Sequence, residues 1–347
     1  HTDRALTFAA GGTTERMRIN SGGQISISNS SGTQPTHYDS ATRLSVNGRI
    51  NSVGSASTAS MNTGNGTVVN MGALTNHKLQ FIVNNSTKAT INTDGNTNFV
   101  GIVTATQFVP TSAQLSHRNL VINGNFRVNQ RGGSSTSAGY QTVDRFRMQY
   151  GNASATLTQR QYGLSHGDAP HDNDGHGYAY RIENAGQNAN NQGYVYMQTL
   201  IEAQDMLSSG WQYRDSSSYL TLSFWIRSSV TQTHLVSLLT SDGTNREWNH
   251  LVSLTSNTWK KVSITVPGDS NITFNNDNGI GLGIYFHAYL GDHYTSGSTV
   301  DQWVTHAGYT SRPDMGAGWW TSSNSTFMLT GVQLEAGPMA TPFEHRK

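Results

Sequence analysis

Apolar and polar residues alternate with a period of two along several segments of this chain. In one of them, the residues expected on one face are Leu220, Leu222, Phe224 and Ile226. Because successive residues of a strand point to opposite faces of a sheet, this alternation predicts an antiparallel strand that is buried on one side. Residues 262–266 and 280–290 repeat the pattern, whereas only residues 198–207 have possible helical character. The sequence therefore predicts an all-β fold.

The composition excludes several classes of protein. Only 12% of the 347 residues are charged and the formal net charge is +1, which disfavours nucleic-acid binding. The chain has no cysteine, so it holds neither a disulfide framework nor a Cys-ligated zinc ion. No apolar run approaches the roughly 20 residues that span a bilayer, and membrane insertion is not expected.

Aromatic residues divide the chain near residue 115. All seven tryptophans lie at or after Trp211, and the first 117 residues contain one tyrosine, Tyr38. A region so poor in large apolar groups cannot offset the entropy of its own ordering, so it needs partners. We predict a repetitive β-rich shaft or linker over residues 1–115 and a separate domain over residues 116–347. The alternative for the first region is a flexible Ser/Thr/Gly linker that carries chance hydrophobic residues.

A weak internal repeat supports the shaft. Residues 6–23 align with residues 79–95, which pairs Phe8 with Phe81 and Ile19 with Ile91. Repeated short strands that are joined by Gly-containing turns, with too few apolar groups for a monomeric core, are typical of an intertwined homotrimeric β-shaft.

Two segments bracket the second region and are interpreted as the first and last strands of one β-sandwich: NLVINGNF at 119–126 and GVQLEAGPMATPFE at 331–344. Together with SFWIRS at 223–228 and NTWKKV at 257–262, they resemble the C-terminal jelly-roll, carbohydrate-binding-module-like domain of tailed-phage fibre proteins, particularly those of marine and cyanobacterial phages. Residues 11–19 and 100–108 are similar to segments that recur in those fibres. The jelly-roll resemblance covers roughly residues 117–346.

This resemblance implies an elongated N-terminal β-shaft, forming an intertwined homotrimer, followed by a two-sheet antiparallel jelly-roll β-sandwich. It implies a virion protein, a tail fibre that acts as a receptor-binding adhesin for a bacterial surface polysaccharide. Its partners would be other phage tail or virion proteins, and it would be assembled in the host cytoplasm. A tailspike-like glycan depolymerase and a non-binding head-fibre or collar component remain as alternatives.

Aromatic side chains are the predicted glycan-binding residues. Trp303 lies in a polar stretch, and one of the adjacent Trp319 and Trp320 should be exposed if that segment is extended. On residues 280–290, glycines at 281 and 283 beside aromatic residues predict a shallow trough. The full set of candidates is Trp248, Trp303, Trp319, Trp320, Tyr285, His287 and Tyr289. Alternatively, these rings lie in the core, cap the sandwich or form a subunit interface.

No catalytic or metal site is predicted. The carboxylates are scattered, no Gly-x-Ser-x-Gly elbow occurs, and we expect neither enzymatic activity nor a cofactor. Residues 166–177 are rich in His and Asp but match no zinc or EF-hand spacing, so we interpret them as a solvated loop. Thr330-Gly331 stands where related jelly rolls carry acidic calcium ligands, and a structural calcium ion is therefore not expected.

Overall fold

The computed structural model describes residues 76–84, 86–101, 118–297, 299–308 and 311–345, together with short strands before residue 76. The chain divides into two compact units, His1–Phe108 and Val109–Lys347. Residues 11–14 and 102–108, part of the segments that resemble phage fibres, lie outside the described residues. Among the described residues, no helix is long and apolar enough to cross a membrane.

The first unit consists of small sheets. Its strands are β1 (Leu6–Ala9), β2 (Glu15–Ile19), β3 (Ile25–Ser28), β4 (Leu44–Asn47), β5 (Ala59–Thr63), β6 (Val69–Ala73), β7 (Leu79–Val83), β8 (Ser86–Ile91) and β9 (Thr97–Phe99). They form a four-stranded sheet in the order β1-β2-β3-β4, a pair β5-β6 and a three-stranded sheet β7-β8-β9. Only β3 and β4 pair in parallel among these strands.

The internal repeat is confirmed by strand register. Leu6 pairs with Ile19 in the hairpin β1-β2, and Leu79 pairs with Ile91 in the hairpin β7-β8. In both copies a third antiparallel strand follows on the same side, with Ile25 opposite Ile19 in the first copy. The two aligned segments therefore form hairpins of the same register, and each hairpin is followed by a third strand outside the alignment; in the first copy a parallel fourth strand, β4, is added.

The second unit is a sandwich of two six-stranded sheets. The first sheet has the order β10-β12-β13-β21-β15-β18 and the second the order β11-β14-β19-β16-β17-β20. Their bounds are β10 (Ser134–Ser135), β11 (Phe146–Gly151), β12 (Leu157–Gly163), β13 (Tyr178–Asn184), β14 (Tyr194–Glu202), β15 (Tyr219–Ser228), β16 (Gln232–Thr240), β17 (Arg246–Leu254), β18 (Lys260–Pro267), β19 (Ile280–Leu290), β20 (Trp303–Thr305) and β21 (Ser325–Ala336). Helical turns are α1 (Ala169–Asp174), α2 (Ala203–Ser208), a 3-10 turn at Asp292–Tyr294 and α3 (Gly318–Thr321).

From β13 onward the chain crosses between the sheets at most connections, the exceptions being β16 to β17 and β19 to β20, which stay in the second sheet. All strand pairs in both sheets are antiparallel. This is the jelly-roll arrangement, and the predicted all-β fold class is confirmed. Leu220, Leu222 and Ile226 of β15 are 0% exposed, as predicted for its inward face. The prediction that β15 is buried on one side only is wrong, because Thr221, Ser223 and Trp225 on its other face are at most 8% exposed. Across the core, the Phe224 ring meets the Phe286 ring of the second sheet edge to face at 5.0 Å. Burial of these alternating apolar side chains is the main stabilising term of such a sandwich.

Two predictions of local structure are wrong in detail. Residues 119–126 form turns rather than a strand, although they lie along β21, where the Leu120 N–H donates to the Leu334 carbonyl at 2.8 Å. The helical character predicted for residues 198–207 is confined to α2, because β14 continues to Glu202. Pairing of β14 with β19 overrides the local helical preference.

The buried side chain of Asn119 joins the beginning of the sandwich to its end. Its Oδ1 accepts the N–H of Leu334 at 3.2 Å, and its Nδ2 donates to the Glu344 carbonyl at 3.0 Å. The Glu344 carboxylate in turn accepts the N–H of Arg118 at 2.7 Å and that of Asn119 at 3.2 Å. These bonds satisfy polar groups that would otherwise be buried without partners.

The close approach of residues 119–126 to β21 requires glycine at position 124. A Cβ there would lie 1.9 Å from the Val332 carbonyl oxygen, whereas one at Gly133 would meet nothing within 4 Å. We expect Gly124→Ala to lower the free energy of unfolding by about 1–3 kcal/mol through this clash with backbone. Urea unfolding of Gly124→Ala beside the control Gly133→Ala measures the effect. Equal stability of the two variants would contradict the described approach.

Candidate functional site

The outer face of the second sheet carries a straight row of polar side chains. Register places Arg147 opposite Gln198, Gln198 opposite Tyr285, Tyr285 opposite Ser237 and Ser237 opposite Asn249. We call these five residues the polar row. Directly opposed residues of an antiparallel pair share a face of the sheet. Most of their neighbours along the strands, such as Met148, Met197 and Phe286, belong to the core, so the polar row faces away from it.

An aromatic cluster lies beside the polar row and consists of Tyr194, Tyr196, Tyr285 and His287. The Tyr285 and His287 rings stack with centroids 6.1 Å apart and planes 12° apart. The Tyr196 ring packs against both, with centroids 5.4 Å from Tyr285 and 5.3 Å from His287. Tyr194 stacks on Tyr196 at 5.9 Å. Burial raises the pKa of Tyr196 to about 12, with contributions from Tyr285 and Tyr194, so the phenol stays neutral at physiological pH.

Part of this outer face is covered by residues 306–308 and 311–316, which we call the cover segment. Its attachment is the carboxylate of Glu247 on β17, which is 0% exposed and accepts Arg312 Nε at 2.6 Å and Ser311 Oγ at 2.5 Å. The Nδ1 atom of His306 lies 3.0 Å from the same carboxylate. Burial alone would raise the pKa of Glu247, but the charge of Arg312 and these hydrogen bonds outweigh it and hold the pKa below its ordinary value. The carboxylate is therefore ionised and paired.

Apolar contacts continue the cover. Met315 packs with Leu235 and Leu290 on the outer side of the sheet, and Asn249 Nδ2 donates to the Ser311 carbonyl at 3.1 Å. Ser237 and Asn249 are consequently buried. The half of the polar row on β16 and β17 is thus closed to a ligand.

In the other half of the polar row, Gln198 is 2% exposed but Arg147 and Tyr285 retain accessible surface. They belong to the open face, which we define as Tyr140, Arg147, Gln149, Tyr196 and Tyr285. All five side chains are half-buried. Arg147 Nε donates to Gln198 Oε1 at 2.6 Å, and its guanidinium carbon lies 5.5 Å from the Tyr140 ring centroid. On the other side, the guanidinium carbon of Arg312 lies 6.0 Å from the Tyr285 ring centroid. The open face combines flat rings with hydrogen-bond donors and acceptors.

Two of the predicted residues, Tyr285 and His287, lie on this outer face, but the expected position of Tyr289 beside them is wrong. The pairing of β14 with β19 changes register between Val195, which lies opposite Tyr289, and Tyr196, which lies opposite His287. Ala288 is therefore an extra residue in β19. This bulge turns the Tyr289 ring to the core, where it stacks on Trp320 with centroids 4.7 Å apart. His287 itself is 0% exposed beneath its neighbours.

The predicted trough at the glycines of β19 is filled. A Cβ on Gly283 would lie 2.7 Å from the Tyr285 ring, and one on Gly281 would lie 2.6 Å from the Cα of Ala203. Gly283 therefore leaves room for the Tyr285 ring to lie over the strand, and Gly281 leaves room for α2. The glycines position an aromatic ring instead of forming an open groove.

The expected exposure of tryptophan is wrong for Trp248 and for the pair Trp319 and Trp320, one of which the sequence predicts to be exposed. Trp319 and Trp320 are 0% and 1% exposed, because residues 318–321 form the helical turn α3 and the alternation of a strand does not apply. Trp248 is 5% exposed and faces the core. Trp303 is half-buried, with its ring 5.8 Å from that of Trp248 and its Nε1 donating to the Pro267 carbonyl at 2.7 Å. Trp303 and Tyr285 are the predicted candidates that retain accessible surface.

Sequence reasoning missed Tyr140, Arg147, Gln149 and Tyr196. One available signal was the alternation of Tyr194, Tyr196 and Gln198 with buried Val195 and Met197 along β14. Arg147 and Gln149 alternate in the same way with Phe146 and Met148 on β11. The cover segment determines which of these outward residues remain accessible, and no local sequence pattern predicts where the cover segment packs.

The His- and Asp-rich residues 166–177 pack on the first sheet through the short helix α1. Asp174 Oδ2 accepts Trp225 Nε1 at 2.7 Å and Lys261 Nζ at 2.6 Å, and Asp168 Oδ1 accepts Trp259 Nε1 at 3.1 Å. The interpretation as a merely solvated loop is therefore incomplete, since these carboxylates tie it to the sandwich. No group of three or more His, Cys, Asp or Glu side chains suited to a metal ion occurs among the described residues.

Comparison with known proteins adds distant structural similarities. No family model and no curated protein matches this chain. The enzymatically active domain of tailspike protein 4 from bacteriophage CBA120 is 11% identical, with a TM-score of 0.35 over 63% of this chain and 21% of that chain. A family 11 carbohydrate-binding module from Clostridium thermocellum is 14% identical, with a TM-score of 0.27 over 58% of this chain and 95% of that chain. A cyclase from Fischerella sp. TAU is 11% identical, with a TM-score of 0.37 over 67% of this chain and 100% of that chain.

The buried histidines make stability depend on pH. Burial lowers the pKa of His234 to about 4 and that of His287 well below its ordinary value, so both are neutral when folded. In the unfolded chain they take up a proton near pH 6.5, and the unfolded state is therefore favoured as pH falls from about 6.5 to 4. We expect each histidine to lower the free energy of unfolding by up to about 1.4 kcal/mol per pH unit in that window.

Urea unfolding at several pH values, with the histidine ring signals followed by NMR, measures this dependence. A stability that is flat between pH 6.5 and 4, or rings at 234 and 287 that protonate near pH 6.5 in the folded protein, would contradict the prediction.

Proposed function

We propose that this chain is a virion structural protein, a phage tail fibre that acts as a receptor-binding adhesin and holds a bacterial surface glycan on the open face. The observation that carries the proposal is the pair of half-exposed rings, Tyr196 and Tyr285, set beside the side chains of Arg147 and Gln149. Sugar rings stack their C–H faces on such aromatic rings, and neighbouring polar groups hydrogen-bond the hydroxyls.

The rigidity of the open face favours binding. Tyr285 lies over Gly283 and stacks on His287, and Tyr196 packs against both rings. These contacts fix the rings before a ligand arrives, which lowers the entropy that binding must offset. A preorganised surface that combines flat rings with hydrogen-bonding side chains suits the sugar rings of a polysaccharide.

Binding without hydrolysis is the proposed activity. Glycoside hydrolysis generally needs two accessible carboxyl groups about 5–10 Å apart. On the outer face described above, the carboxylate of Glu247 is fully buried and engaged by Arg312 and Ser311, so it is not available to a substrate. This observation favours an adhesin over a tailspike-like depolymerase.

We also propose that three chains associate through the first unit. Register places Phe81, Ala89 and Phe99 side by side on one face of the sheet β7-β8-β9, and the two phenylalanines are 46% and 59% exposed. Leu79 and Ile91 extend this apolar row on the same face. Burial against the same face of further copies would remove this surface from water. A homotrimer on the virion, in contact with other tail or virion proteins and assembled in the host cytoplasm, would convert weak single sites into durable attachment through effective concentration.

Substitution of the open face tests glycan binding. We expect Tyr196→Ala and Tyr285→Ala in the full chain each to weaken binding to extracted host surface polysaccharide by about tenfold or more, because the stacking surface is lost. Tyr178→Ala is the control, since Tyr178 is 40% exposed on the first sheet. Binding is measured by biolayer interferometry, and chromatography measures the length of the polysaccharide after incubation.

The outcomes separate the three candidate functions. The adhesin is supported if the polysaccharide stays intact and binds the wild type and the Tyr178→Ala variant but neither open-face variant. Shortened polysaccharide would make the protein a depolymerase. No binding by the folded wild type would leave a non-binding head-fibre or collar component.

Light scattering of the full chain tests the association. We expect the wild type to be a trimer and the double substitution Phe81→Ser with Phe99→Ser to shift it toward monomer, because the apolar row is removed. Gln80→Ser with Asn98→Ser is the matched control, since these residues lie on the opposite face of the same strands. A wild-type monomer, or equal loss of association in both variants, would refute the proposed interface.

A further inference from the structure

Arg147 carries the uncompensated positive charge of the open face. The neighbouring Arg312 is paired, since its Nε lies 2.6 Å from the buried Glu247 carboxylate. No carboxylate lies within ion-pair distance of Arg147 in the described parts of the chain. A guanidinium stays charged at any physiological pH, and it is half-buried here, where charge is screened less than in open water.

The surroundings of Arg147 fix its plane and leave donors free. Gln198 accepts the Nε–H, and the Tyr140 ring lies beside the guanidinium carbon at 5.5 Å. Among the described residues, Arg147 makes one hydrogen bond to a side chain, and it donates that bond through Nε. The two Nη groups therefore remain to bind a ligand. Two parallel N–H groups of a guanidinium match the two oxygens of a carboxylate.

The charge of Arg147 lies close to the tyrosine rings of the open face. Arg147 and Tyr285 are both direct cross-strand neighbours of Gln198, on either side of it. Burial raises the pKa of Tyr285, and the charges of Arg312 and Arg147 both act to lower it. Both guanidinium groups are therefore close enough to interact electrostatically with the Tyr285 phenol. A sugar that stacks on the rings therefore has its ring substituents within reach of a cation.

We propose that the glycan held by the open face is acidic, and that Arg147 binds the carboxylate of a uronic or comparable sugar acid while Tyr196 and Tyr285 stack a ring of the same chain. This inference rests on the proposed function, and it names the class of ligand for that site. The planar guanidinium, held by Gln198 and Tyr140, presents an edge that two carboxylate oxygens match, and a sulfate ester is the competing ligand that the experiment tests.

The experiment uses the full chain and four acidic polysaccharides, namely polygalacturonate, alginate, hyaluronan and polysialic acid, each immobilised beside its own carboxyl-reduced derivative. Dextran sulfate beside dextran tests a sulfate ester in place of the carboxylate. We expect at least one acidic member to bind about tenfold or more tighter than its reduced partner, as the loss of charge-assisted hydrogen bonds requires. The preference should weaken as salt rises from about 0.05 M to about 0.5 M.

Variants then assign the preference to Arg147. Arg147→Gln should abolish the discrimination between acidic and reduced partners, and Arg147→Lys should retain part of it, because the charge is kept and the planar edge is lost. Arg160→Gln is the matched control, since Arg160 lies on the first sheet and pairs with Glu183 at 2.6 Å. Thermal unfolding of every variant shows whether the fold is kept.

Each outcome decides a different claim. Equal binding of acidic and reduced partners overturns the acidic ligand and leaves the proposed glycan binding intact. Discrimination that survives in a folded Arg147→Gln variant, or a preference for dextran sulfate alone, overturns the carboxylate contact with Arg147. No binding to any member of the set, by a chain that binds extracted host polysaccharide, overturns the inference alone. No binding to either overturns the proposed function as well.

Discussion

The burial of one carboxylate determines which part of the second sheet can meet a ligand. Glu247 has no exposed surface, and a charge in that position is tolerated only with full pairing. Its partners Arg312, Ser311 and His306 all come from the cover segment, which is thereby fixed across β16 and β17. The same ion pair that closes one half of the face therefore leaves the other half as a defined surface.

Two departures from regular strand geometry shape the aromatic cluster on that surface. The extra residue Ala288 reverses the side on which the next ring of β19 lies, so that Tyr285 and His287 face outward and Tyr289 faces the core. The absence of a side chain at Gly283 lets the Tyr285 ring lie along its own strand. Without the extra residue the Tyr289 ring would lie on the outer face beside Tyr285 and His287, and a side chain at position 283 would collide with the Tyr285 ring.

The parts of the fold that could be predicted are those that local periodicity controls. The inward face of β15, from Leu220 to Ile226, follows from alternation because a strand has a fixed period. The same rule failed at Trp319 and Trp320, where tertiary bonds such as Trp319 N–H to Gln232 Oε1 at 2.6 Å hold a helical turn. The open face depends on Glu247 and Arg312, which are 65 residues apart, and on a bulge set by a partner strand. Contacts of that range are not encoded in any short segment.

The bonds of Asn119 have a mechanical consequence. Just after residue 118, the first described residue of the sandwich, the chain is fastened to β21, an interior strand of the first sheet, through Leu120 and Leu334. Glu344 is fastened to residues 118 and 119. A pulling force on the chain before residue 118 is therefore delivered to the middle of a sheet and shared by the strands on both sides of it. A domain loaded in this way resists being peeled from one edge, where a sheet is weakest.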